Sequence, residues 1–106
     1  MKYLNYWMRR TQMFENEELK HIDLNYFHII KILQDEDIIE VESICTKDRW
    51  IINKNRHFKE KFPIILYHKH KGQKYYHRHW QCYKVRQCVD SIKSHDCFTK
   101  NKRDLA

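Results

Sequence analysis

Glycine and proline occur once each in the 106 residues, which excludes a Gly-rich phosphate-binding loop, a collagen-like repeat and a flexible Pro/Gly linker. Apolar runs are short. The longest, around Trp50-Ile51-Ile52 and Ile64-Ile65-Leu66-Tyr67, fall far below the roughly 20 residues a membrane-crossing helix needs. The first ten residues, MKYLNYWMRR, lack the apolar core and small-residue cleavage site of a secretory signal, so a cytoplasmic location with no membrane partner is expected. Cys45, Cys82, Cys88 and Cys97 are irregularly spaced, and free thiols are expected in a chain able to bury a core without staples. Catalytic signatures are missing as well. Ser43 and Ser91 have no glycine-flanked elbow, and Asp35, Asp37, Glu40, Glu42, Asp48 and Glu60 lack the spacing of a Mg²⁺ nuclease site. The chain therefore reads as a non-enzymatic binding module without catalytic residues.

What is present suits one small folded domain over residues 1–106, with 42% hydrophobic and 33% charged residues. Charge divides the chain. Residues 1–48 hold six Lys/Arg against ten Asp/Glu (−4), residues 49–106 fifteen against four (+11), and the sum is +7. A concentrated positive field attracts polyanions, so the C-terminal half is the interaction candidate.

Tyr3, Leu4, Trp7, Met8 and Thr11 recur at helical spacing and predict an amphipathic helix over 1–14. Asp23 as N-cap, followed by Leu24, Phe27, Ile30 and Leu33, predicts a second helix to Gln34, ended by Asp35-Glu36-Asp37. The period then becomes that of strands, over 38–46 and 49–54, with a turn near Lys47-Asp48. A charged connector (55–61) leads to Pro63 and a third strand over 64–70, and Gly72 turns the chain into a fourth over 74–80. Val85, Cys88 or Val89, and Ile92 mark an amphipathic helix, clearest from Gln81 to Ser94. The expected architecture is α+β: a helical part (1–36), a four-stranded antiparallel sheet of two hairpins (37–80), a C-terminal helix packed on it (81–98) and a mobile basic tail (99–106).

With a two-residue loop at Gly72, alternation would put Ile64, Leu66, His68, His70, Tyr75, His77 and His79 on one face of the second hairpin. Ile65, Tyr67, Lys69, Lys71, Lys74, Tyr76, Arg78 and Trp80 would share the other, where cations alternate with flat rings. Cations neutralise phosphates and rings stack on bases, so DNA or RNA is the expected partner. Arg49, Lys54, Lys69, Lys71, Lys74, Tyr76 and Arg78 form the expected contact set.

His68, His70, His77 and His79 form two His-x-His pairs able to share a Zn²⁺ across the hairpin, but His79-x-x-Cys82 followed by Cys88 and Cys97 matches no standard ligand spacing. The expectation is neutral histidines and no cofactor. The stretch 47–98, with its basic strands, the KGQKYYHRHW hairpin and the YKVRQCVDSIKSHD helix, resembles the three-stranded, helix-backed DNA-binding domains of the AP2 and integrase arm-binding type. It departs from them in placing His79-Trp80 where they have an aromatic-glycine pair, in a longer strand connector and in the N-terminal half. The resemblance implies a sheet laid in the major groove, with Arg49, Lys54, Lys69, Lys74, Tyr76 and Arg78 in contact and Arg or Lys reading guanine. A second reading is a phage-type or accessory inhibitor, anti-CRISPR-like, that binds a host protein or nucleoprotein complex through Tyr3, Tyr6, Trp7, Trp50 or Trp80.

Overall fold

β-branched and aromatic residues suit a pleated, half-buried surface, and they dominate Phe27–Leu33, Ile38–Ser43, Arg49–Lys54 and Ile64–Lys69. In the computed structural model, which describes residues 14–33, 37–54 and 63–105, these segments are strands β1 to β4 and His77–Cys82 is β5. Each strand pairs antiparallel with its sequence neighbour in one sheet of order β1-β2-β3-β4-β5. The fold is α+β, with five strands where four were expected.

The additional strand occupies the segment expected as the helix ending at Gln34. Leu24, Phe27, Ile30 and Leu33 do recur at helical spacing, but Ile29, Ile30 and Ile32 are β-branched, and the segment pairs with β2 from Phe27↔Ser43 to Leu33↔Ile38. A bulge between Ile29 and Lys31 breaks the strict alternation that would have marked a strand. The expected helix over 1–14 lies, apart from Phe14, outside the described residues, as does the connector 55–61. One turn of helix, α1 (Asn16–Leu19), precedes the sheet, closed by a reciprocal capping box between Glu15 and Glu18.

The C-terminal helix, α2 (Val85–Leu105), starts later than expected and runs through the stretch expected as a mobile tail. Arg103 explains the extension: it donates to the Thr46 carbonyl (2.9 Å) and to Asp48 Oδ1 (3.1 Å), while Lys102 and Arg103 suit the negative end of a helix. Val85, Cys88, Val89 and Ile92 form the apolar stripe of α2 and share one core with Phe27, Ile39, Val41, Trp50, Ile52, Ile64 and Leu66. Farther along, the stripe turns polar. Buried Asp96 accepts from the Tyr26 hydroxyl (2.8 Å) and the Thr46 hydroxyl (3.1 Å), tying the helix to the chain before β1 and after β2. All four cysteines are free, Cys82 and Cys88 in the core and Cys45 and Cys97 at the surface. No helix among the described residues is long and apolar enough to cross a membrane.

Candidate functional site

The β4–β5 hairpin departs from the two-residue loop. Gly72 has the positive φ of a tight turn (84°), and Gln73 donates to the His70 carbonyl, yet residues 70–76 all lie between the strands. Lys71 is diverted: its backbone N–H bonds to Asp48 Oδ1 (2.9 Å) and not to β5. The register then slips. Leu66 faces Trp80, but Tyr67 faces Arg78 and His68 faces His77, leaving His79 as the extra residue of a bulge. Trp80 therefore stands on the Leu66 side of the sheet, opposite to the expected face, while Arg78 keeps its expected place beside Tyr67.

The face turned away from the core carries cations, and carboxylates sit among them. Opposed residues place Glu40 beside Lys31 and Ile51, and Glu42 beside His28 and Arg49. Arg49 pairs with Glu42 (3.4 Å) and Lys31 with Glu40 (3.8 Å). The Tyr76 hydroxyl donates to Glu40, and Lys69 Nζ lies 5.0 Å from the Tyr76 ring centre. Burial, reinforced by Glu40, raises the Tyr76 pKa above its ordinary value. Of the expected contact set, Lys54 is committed to Glu18 of α1. Lys71, Lys74 and Arg78 are exposed, around and along β5.

That edge joins rings to cations. Tyr75 is 80% exposed, Trp80 60% and Tyr83 47%, and exposed Lys74, Arg78, Lys84 and Arg86 lie among them in the chain. No carboxylate occurs between Glu60 and Asp90. Arg78, Trp80, Tyr83, Gln87 and Asp90 are among the residues lining an open cleft of about 1010 Å³ between β5 and the start of α2. Trp50, in contrast, is wholly buried, and Tyr3, Tyr6 and Trp7 lie outside the described residues.

On the core side, the histidines gather around Trp50. His68 stacks on its indole (centroids 3.9 Å apart, planes 18°), and His79 and His95 meet it edge-on at 5.2 and 5.4 Å. His70 and His77 contact the His68 ring from the loop side, at 4.2 and 5.1 Å. His95 comes from α2 and was not among the expected ligands. Its signal was available, since it lies three residues after Ile92 on the stripe that faces the sheet. Asp48, fully buried, closes the cluster: Oδ2 is 3.0 Å from His68 Nε2 and 3.5 Å from His70 Nδ1, and Oδ1 accepts from Lys71 N–H and Arg103. Burial alone would raise the Asp48 pKa, but the Lys71, His68 and Arg103 hydrogen bonds outweigh it and hold the carboxyl below its ordinary value.

Burial lowers the His68 pKa to about 4, against the Asp48 hydrogen bond and with help from His70 and His95. Burial and neighbouring histidines also lower His79 and His95, although Asp96 and Asp48 oppose the shift at His95. The unfolded chain takes up these protons near pH 6.5, whereas folded His68 resists them until about pH 4, so the stability is full above pH 6.5 and drains away as the pH falls toward 4. In EDTA-containing buffer, His68 should contribute a loss of about 2–3 kcal/mol between pH 7 and 4.5. Urea denaturation at a series of pH values checks this, and a pH-independent stability across that window would refute it.

Comparison with known protein families, characterised proteins and solved structures returned no match to this chain.

Proposed function

We propose that this chain binds single-stranded nucleic acid along the β5 edge, with Trp80, Tyr83 and Tyr75 stacking on bases and Lys74, Arg78, Lys84 and Arg86 neutralising phosphates. The observation that carries this is the mixture of exposed rings and cations over Lys74 to Arg86, a stretch without a carboxylate. Exposed rings serve unpaired bases, whose faces are open, better than a stacked duplex. The sheet face expected to lie in a groove is a poorer polyanion surface, because a phosphate docking there meets Glu40 and Glu42, which already engage Lys31 and Arg49.

Fluorescence anisotropy with labelled single-stranded and duplex DNA and RNA, over a salt series, tests the proposal. Single strands should bind more tightly than duplexes, with affinity falling steeply as salt rises. Trp80→Ala should cost about 1–3 kcal/mol of affinity with little change in salt slope. Lys74→Glu/Arg78→Glu should weaken binding to every sequence and reduce the slope by about two. Tighter duplex binding, abolished by Arg49→Ala and indifferent to Trp80→Ala, would instead support the AP2-like mode. Binding to neither polymer, with a stoichiometric protein recovered from nuclease-treated host lysate, would favour the inhibitor reading.

A further inference from the structure

We propose that His68, His79 and His95 form a three-imidazole site for a divalent transition metal, Zn²⁺ foremost, with Asp48 as the carboxylate that orients His68. One ring nitrogen from each histidine lies within 4.8 Å of the other two, a spacing that small ring rotations close to the separation tetrahedral zinc requires. The rings are set at steep angles, 68° between His68 and His79, 69° between His68 and His95 and 88° between His79 and His95. They converge as ligands do, without stacking. The three come from β4, the β5 bulge and α2, so a metal would join two neighbouring strands to the helix.

The decisive atom is His68 Nδ1. It is buried and has no hydrogen-bond partner among the described residues, a costly condition for a polar atom inside a protein. Its sister nitrogen, Nε2, faces Asp48 Oδ2 at 3.0 Å, and a carboxylate there holds the proton on Nε2 and leaves the Nδ1 lone pair exposed to the cluster. This is the carboxylate–histidine–metal arrangement. His95 Nδ1 lies 3.3 Å from the Thr99 hydroxyl, and the tautomer that donates to that oxygen carries its lone pair on Nε2.

Two neighbouring combinations, Asp48-His68-His70 and Asp48-His95-Asp96, are chemically less apt. Asp48 Oδ1 already receives Lys71 N–H and the Arg103 guanidinium, a cation where a metal would have to approach. Both oxygens of Asp96 accept hydroxyls, from Tyr26 and Thr46. The three-imidazole set joins the buried His68 Nδ1 lone pair, which no described residue uses, to two further imidazoles. It also leaves one tetrahedral position for water or an anionic oxygen.

The site is independent of the nucleic-acid reading. The 106-residue chain, stripped with chelator and dialysed at pH 7.5, should bind one Zn²⁺ per chain by calorimetry, and Zn²⁺ should raise its melting midpoint. Co²⁺ in its place should give the intense visible bands of tetrahedral coordination. His79→Ala and His95→Ala, both at half-exposed positions, should each weaken Zn²⁺ binding by about 100-fold or more, since even second-shell losses cost 10–100-fold. His70→Ala/His77→Ala should retain one-to-one binding within a few-fold, which separates the site from adventitious capture by surface histidines. Failure of folded wild type to bind micromolar Zn²⁺, or undiminished affinity in His79→Ala, would overturn the proposal.

Discussion

Asp48→Ala should destabilise the protein by about 3–5 kcal/mol, as much as breaking a buried ion pair usually costs. The carboxylate has no exposed surface, yet it serves four groups: Lys71 N–H, His68 Nε2, His70 Nδ1 and Arg103. Arg103 is 44% exposed and can turn to water, so its share of the loss is small. The Lys71 amide is tied to the turn and the His68 ring is sealed beneath Trp50, so neither can turn to water as Arg103 does; each stranded donor costs about 1–3 kcal/mol. Asp48→Asn should cost less, because its amide oxygen still accepts one of those donors. The carboxylate also directs His68 Nδ1 toward the other imidazoles, so both variants should weaken Zn²⁺ binding. Chemical denaturation in EDTA isolates the stability effect, and a cost below about 1 kcal/mol for Asp48→Ala would refute the account.

Much of this arrangement was legible in the residues, and what was not has definable causes. Arg49–Lys54 was expected as a strand with the bounds observed, and β4 differs by one residue, because Trp50, Ile52, Ile64 and Leu66 alternate cleanly. β1 was misread because its bulge spoils the alternation while Phe27, Ile30 and Leu33 mimic a helix. Asp48 was visible only as a turn residue and as one of six carboxylates without metal-site spacing. Its importance rests on Arg103, 55 residues away, and on Lys71, 23 away, contacts that no local pattern encodes. His79 keeps the face it was expected to share with His68 and meets Trp50 there, while the extra residue in β5 carries Trp80 across the sheet. His77 stays beside His68 on the loop side of the cluster. His95 needed the helix period and the hairpin to be considered together, since imidazoles from two distant segments meet only once α2 lies on the sheet.

Trp50→Ala should be at least as damaging, costing about 3–5 kcal/mol and lowering the melting midpoint by roughly 15 °C or more in a chain of this size. The indole is 0% exposed in the middle of the sheet and donates from Nε1 to buried Ser43 Oγ (3.2 Å). Truncation therefore opens a large void and deprives Ser43 of its partner. It also removes the floor on which the histidine cluster is laid, because His68 stacks on this ring and His79 and His95 press their edges against it. Trp50→Phe separates these effects: it keeps an aromatic surface under His68 but loses the Ser43 hydrogen bond and part of the ring volume, and should cost roughly half as much. If the indole positions the imidazoles, Trp50→Phe should retain one-to-one Zn²⁺ binding, whereas Trp50→Ala, studied well below its lowered melting midpoint, should bind Zn²⁺ more weakly. A Trp50→Ala protein that melts within about 5 °C of wild type would show that the sheet closes over the gap, and would remove Trp50 as the support of the cluster.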